Sequence, residues 1–499
     1  MKSSRRRFIQ ATAAVGTAAA VPAVLGGCSC PCRKTAKKDG IIRIGVIGLG
    51  RIADGFEVPN VLAQPKEAKI VAVCDWDKIR LDFMKARIDK SYGDSVCRAY
   101  SDFRKLLADP DVDAVMICTP DHWHALAVVE AAVAGKDIWV QKPLAQTILE
   151  SRIIANVVKE KGLVMQVGAQ QRSWWQFHRA CELVRNGRIG KIVRVEVGLA
   201  NDKPGGNPVE MPVPPTFNYD GWLGPVGDRK TNYYTETRVH PQSKDGVKPE
   251  YGRPGWITME PFGWGMITNW GAHHLNIAQW GLGMDDSGPV EIEGSCEPLG
   301  PGLWNVHGKY DITYTYANGV KLHLASQYKN GIKFIGEKGW IFVTRAGAPA
   351  TKNDPSGAAV KLDDKVLKDP TSPKDGISFG LQVSDPEILN VVYGSDAVKL
   401  HVSPHPDKGE CFRHVADWLK SIRDRSPTAC GAEIGHRSNI VCVQGVAAMK
   451  LKRKLVWDNA TQMFVGDDEA NARFNRHIYE APGFSIPEVM KKAGLKMPS

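Results

Sequence analysis

The chain has 499 residues and a formal net charge of +11, long enough for two domains with sizeable cores. Eight basic residues precede Asp39, the first acid, so the remainder is close to neutral and lacks the basic stripe that nucleic-acid binding needs. Eight cysteines follow residue 32 without a C-x-x-C pair, which leaves zinc and dithiol redox chemistry unsupported.

The first predicted element is an export signal over residues 1–40. Ser4-Arg5-Arg6-Arg7-Phe8-Ile9 resembles a twin-arginine motif. The Ala-rich stretch behind it, interrupted by Gly16 and Pro22, is too short and mild for a good membrane span. Leu25-Gly26-Gly27-Cys28 resembles a lipobox, with Cys28 as the acylated residue; cleavage nearby without acylation is the alternative. Cys28, Cys30 and Cys32 have no fourth ligand close by, so no metal is expected there. The expected location is the periplasm, with a lipid anchor if Cys28 is acylated.

Residues 41–168 read as a Rossmann dinucleotide-binding domain. The apolar run from Ile41 turns at Gly48-Leu49-Gly50-Arg51-Ile52-Ala53. Gly48 permits the tight turn and Gly50 lets backbone amides approach a pyrophosphate at a helix N-terminus. A second apolar run, Ile70–Cys74, ends in Asp75, 22 residues past Ala53. An acid there binds ribose hydroxyls and repels a 2′-phosphate, so NAD is favoured over NADP. Lys78 and Arg80 keep NADP open. Helices are predicted near 78–90 and 101–108, then a buried strand, Asp113–Cys118. Its end, Thr119-Pro120-Asp121-His122-Trp123-His124, should face the cofactor, because ligands bind at the carboxyl ends of such strands. The next strand, Asp137–Val140, leads into Gln141-Lys142-Pro143. Pro143 limits Lys142 to extended conformations, which marks it as more than a solvated strand-end lysine.

The motifs GLGRIA, T-P-x-x-x-H at 119–124 and Q-K-P at 141–143 resemble the glucose–fructose oxidoreductase, inositol dehydrogenase and MocA family. The resemblance implies a lysine, here Lys142, that contacts the reacting hydroxyl. It also implies a cofactor-lining loop, here Thr119, Pro120 and His124, with Arg51, Ile52 and Gln141 beside it. The family usually has Glu-Lys-Pro, so Gln141 removes a carboxylate that could tune the lysine.

Residues 169–499 read as a substrate-binding α+β domain on an open, largely antiparallel sheet. A helix is predicted at 173–189, a strand at 191–199, and hairpins over 310–326 and 332–343. Residues 201–215 and 346–375 read as loops. In Gly265–Trp280, helical spacing would place Asn269 and His273 on one face, with Asn276 following. The segment resembles the family's D-x-G-x-H-x-x-D helix, which implies an acid/base role for His273 with Asn269 as its hydrogen-bond partner. An amide cannot raise its basicity as a carboxylate would. His274 is a second candidate. Eight tryptophans fall within 174–304, and flat aromatics suit sugar faces. Arg172, Tyr219, Asp220, Trp222 and Arg238 could reach substrate hydroxyls.

The resulting expectation is an exported NAD-dependent oxidoreductase acting on a ring hydroxyl of a sugar, glycoside or cyclitol. Outside the cytoplasm there is no NAD pool, so the cofactor should be held tightly and recycled. The rivals are a redox-neutral NAD-dependent glycosidase, as found in this family, and a non-catalytic sugar-binding protein. By analogy with the family, a homo-oligomer is expected.

Overall fold

In this computed structural model the described residues are 40–498, leaving out 203, 207, 211, 230, 231, 234–254, 346–379, 392 and 477. The predicted signal, Cys28 and Arg238 lie outside them. Short apolar runs close the first sheet: β1 (Ile42–Ile47), β2 (Ala68–Cys74), β3 (Arg98–Tyr100), β4 (Ala114–Ile117), β5 (Asp137–Val140) and β6 (Met165–Val167). They lie in the order β3-β2-β1-β4-β5-β6 and all pair in parallel. Strands buried on both faces need no polar alternation, which is why β4 reads Ala-Val-Met-Ile and is buried throughout. The strand order reverses between β1 and β4, which opens the crevice where such sheets bind nucleotides.

The second sheet has nine strands. They are β7 (Ile192–Gly198), β8 (Pro289–Cys296), β9 (Tyr310–Tyr316), β10 (Lys321–Ala325), β11 (Gly331–Gly336), β12 (Gly339–Val343), β13 (Leu381–Val383), β14 (Leu455–Asp458) and β15 (Met463–Phe464). Their order is β13-β12-β11-β7-β10-β9-β8-β14-β15, and β7 with β10 is the one parallel pair among those described. Both predicted hairpins form. In β9, Tyr310, Ile312, Tyr314 and Tyr316 point into the core, and the intervening Asp311, Thr313 and Thr315 face outward. The helices Trp175–Arg185, Gly271–Leu282 and Ala432–Leu451 cover the inner face. The outer face carries charged and polar groups, including Arg194 with Glu196 and His323 with Asp311.

The chain then returns to the first sheet. Val415, Trp418 and Leu419, from the helix Glu410–Asp424, join the β1–β2 core. Ile486 and Met490, from the helix Ile486–Lys492, pack with the helix His124–Val133. Between them, residues 428–430 run along β6: Thr428 Oγ1 donates to Met165 O at 2.7 Å and Val167 N donates to Cys430 O at 2.8 Å.

Candidate active site

One pocket, lined from both sheets, collects most of the predicted residues. Gly48 turns the chain with φ +85°, and a Cβ there would lie 2.8 Å from the backbone of Cys118 and Thr119. The first strand can approach the fourth this closely only with glycine. Asp75 fixes the turn from the end of β2: its carboxylate accepts from Leu49 N at 2.7 Å and from Asp77 N at 2.8 Å. Asp77 in turn caps the next helix through Ile79 N. Gly48, Gly50, Arg51, Ile52 and Asp75 all line the pocket.

These residues fit a dinucleotide. The glycine turn leaves backbone amides accessible, and Asp75 keeps lone pairs beyond its two backbone bonds. Thr119 Oγ1 is buried on the pocket wall with no hydrogen-bond partner among the described residues. Of the two basic residues that kept NADP open, Lys78 is two-thirds exposed and pairs with Asp82. Arg80 lines the pocket beside Gly50.

The chemistry-bearing groups sit farther along, at the ends of β4 and β5. Thr119, Pro120, Asp121, Gln141 and Lys142 line this stretch with Asn269, Trp270, His273 and Arg345 from the second sheet's side. Burial pushes the Asp121 carboxyl up to about 7, with Lys142 close enough to draw it partly back. Burial holds His273 well below the usual imidazole range, and the Arg345 and Lys142 cations push it the same way. His273 is therefore neutral at neutral pH. Arg345 is held over Trp270 at 4.7 Å and near Trp174 at 5.7 Å. Trp222, Trp256 and Trp270 line the pocket. Trp264 and Trp280 belong to the core.

Several sequence-based assignments are corrected. His124 does not reach the pocket; its ring lies between Pro143 O (2.6 Å) and Thr119 O (3.0 Å). Burial pushes its pKa down to about 4, so a neutral ring donates to one of them and ties the two loops together. Asn269 and His273 do not share one helix: Met266–Asn269 ends at Trp270 and Gly271–Leu282 begins there. Nδ1 of His273 is buried without a partner among the described residues, so the expected Asn269–His273 bond is absent. His274 turns away from the pocket to Asn330 Oδ1, at 2.6 Å. Tyr219 packs in an aromatic cluster and donates to Asn232 O, at 3.0 Å. Asp220 is exposed and is not among the pocket-lining residues.

Arg172 is a structural residue. It is 2% exposed, forms a two-pronged pair with Asp285 (2.5 and 3.0 Å) and donates to Asn276 Oδ1 at 2.6 Å. Removing Arg172 leaves the buried Asn276 Oδ1 without its donor and the partly exposed Asp285 without its cation. Arg172→Met should therefore cost about 2 kcal/mol of stability, read by urea unfolding. The KM of the folded fraction should stay unchanged; a raised KM with normal stability would restore the substrate role.

Sequence reasoning missed three pocket groups: Glu57, Asp121 and Arg345. Asp121 lies inside the Thr119–His124 motif, and an acid at that strand end is its local signal. Nothing local marked the other two.

Comparison with known proteins agrees with this geometry. Residues 42–169 match the family model described as "Oxidoreductase family, NAD-binding Rossmann fold". Residues 204–352 and 396–481 match its C-terminal alpha/beta domain. The chain belongs to the GFO/IDH/MocA oxidoreductase family. A myo-inositol 2-dehydrogenase of Thermotoga maritima is 33% identical over 150 residues, covering 30% of this chain and 42% of the relative. A glycosyl hydrolase family 109 protein of Parabacteroides distasonis is 28% identical over 258 residues, covering 48% of this chain and 54% of the relative. Each of these matches thus spans about half of the relative or less. Among solved structures, the WlbA dehydrogenase of Bordetella pertussis, in complex with NADH and UDP-GlcNAcA, superposes with TM-score 0.56 at 14% identity, over 84% of this chain and 99% of that one. The aldose–aldose oxidoreductase of Caulobacter crescentus gives 0.54 at 17%, over 83% and 99%. At such identities the likeness is one of fold.

Proposed function

We propose that this family member oxidises or reduces a ring hydroxyl of a sugar, glycoside or cyclitol with an NAD that it holds between turnovers. The observation that carries this reading is a single pocket running from Gly48 and Asp75 to Lys142, Asp121 and His273. Gly48, Gly50 and Asp75 would hold the dinucleotide, which when bound supplies the hydride acceptor or donor. Lys142 orients the hydroxyl and stabilises negative charge developing on its oxygen. Neutral His273 takes the hydroxyl proton. It cannot keep that proton, with Arg345 and Lys142 close by.

Asp121 lies close to Lys142 and, when charged, offsets one of the two cations that oppose protonation of His273. With burial raising its carboxyl to about 7, it is charged above that pH and neutral below. In the oxidative direction, kcat/KM should rise with pH through about 7 and level off. Asp121→Asn should remove that limb. An unchanged profile in the variant would take Asp121 out of the scheme.

One comparison favours a second reading. The glycosyl hydrolase family 109 match extends over 258 residues, which supports transient oxidation within a redox-neutral glycosidase. Protein purified without added cofactor decides between them when mixed with disaccharides and aryl glycosides. A lasting rise at 340 nm with a product lighter by two hydrogens supports the dehydrogenase. Released aglycone without that rise supports the glycosidase. Neither product, with NAD still bound, would defeat both.

We also infer twin-arginine export from Ser4–Ile9, with Cys28 as the acylation site. Changing Arg5, Arg6 and Arg7 to Lys should keep the protein in the cytoplasm; periplasmic recovery of that variant would refute the route.

A further inference from the structure

Glu57 has no place in the scheme above, yet it is buried in the same pocket wall. It ends the π-helical segment Ala53–Glu57, which interrupts the helix after the glycine turn. It is 6% exposed and accepts a hydrogen bond from Gln141 Nε2 at 2.5 Å. Gln141 packs on Gly168, where an added Cβ would lie 3.0 Å from its amide, and it is itself buried. The carboxyl thus sits hydrogen-bonded to the residue that precedes Lys142, in the pocket that Lys142 lines.

No salt bridge to Glu57 occurs among the described residues, so its charge is not already cancelled. The titratable groups around it come from several elements. Cys118 follows β4 and Cys411 lies on the helix Glu410–Asp424; Glu57 raises both thiols electrostatically. Burial is the larger cause for each, and both stay protonated at neutral and mildly alkaline pH. Glu410 precedes Cys411, and Lys142 follows Gln141. On its own helix Asp54 pairs with Arg87, and Arg51 lines the pocket. Gln141 is neutral, so Glu57 is the acid that this hydrogen bond presents to the pocket, distinct from Asp121 beside Lys142. Burial raises its carboxyl to about 8, within reach of ordinary working pH.

We propose that Glu57 is a positioning residue that couples the protonation of the site to the redox state of the bound nicotinamide. The inference rests on NAD binding as read above. The oxidised ring carries one positive charge and the reduced ring none. A nearby carboxylate favours the first, and a neutral carboxylic acid is indifferent. Exchange of bound NAD for NADH therefore draws a proton from water onto Glu57, and rising pH shifts the balance toward NAD.

The test is titration calorimetry of the full chain, first stripped of resident cofactor, with NAD and with NADH, in two buffers of different ionisation enthalpy. At about pH 8, NADH binding should take up about half a proton more than NAD binding. The NADH/NAD ratio of dissociation constants should rise about tenfold from about pH 6.5 to about pH 9.5. In Glu57→Gln both effects should vanish while both ligands still bind. Asp121→Asn should retain them. The wild-type proton count needs no variant, so a Glu57→Gln chain that fails to fold leaves the idea open to refutation. Equal proton uptake for the two ligands in wild type would overturn the proposal and leave the functional reading intact. So would loss of the linkage in Asp121→Asn with retention in Glu57→Gln. Failure to bind either ligand would overturn both.

Discussion

Lys142→Ala is expected to lower kcat/KM about a thousandfold, with NAD affinity held within about threefold. The two readouts separate because Lys142 lies at the β5 end of the pocket, away from the glycine turn and Asp75. An ammonium that stabilises charge developing on the hydroxyl oxygen acts on the transition state more than on the bound cofactor. Its removal also leaves Asp121 without the cation that draws its carboxyl down, so the variant's pH dependence should move to higher pH. Single-turnover absorbance at 340 nm, with bound cofactor quantified separately, checks both. Retention of full activity would end the case for this mechanism.

Gly48→Val should abolish cofactor binding and cost about 3 kcal/mol or more of stability. Two penalties coincide. The residue has φ +85°, where a β-branched side chain is strained. Its Cβ would meet Cys118 C and Thr119 N at 2.8 Å and Cys118 O at 2.9 Å, all backbone atoms that cannot step aside. Gly50→Ala is the control. There the nearest atom to an added Cβ is Arg80 Nη1 at 3.3 Å, the end of a flexible side chain. That variant should fold normally and lose affinity alone. Denaturant unfolding and bound-NAD content, measured on both proteins, test the contrast; a stable, NAD-loaded Gly48→Val would contradict it.

The first sheet and its nucleotide-binding turn were legible because their signals are local. A glycine turn, an acid at a strand end and a lysine before proline each declare themselves within a few residues. The same locality explains the misreadings. Arg172 looks like a substrate contact until Asp285, 113 residues later, occupies its guanidinium. His274 looks like a second base until Asn330 arrives from before β11. Asn269 and His273 have helical spacing and line the same pocket, but no hydrogen bond joins them across the helix junction at Trp270 among the described residues. Glu57 and Arg345 were invisible for the converse reason. Each becomes a pocket group only because distant segments, the end of β5 for one and Trp174 and Trp270 for the other, fold against it.

The return of the chain to its first sheet has a consequence in time. β6 is an edge strand until Cys430 pairs with Val167, and the faces beside β1 and the helix His124–Val133 wait for Trp418 and Met490. Ribosomes add about 5–20 residues per second. The nucleotide-binding half, made first, therefore stands unfinished for tens of seconds, with an open strand edge and bare apolar surface that invite association. A fragment ending at residue 168 would keep that unfinished surface permanently and should aggregate rather than behave as an isolated domain.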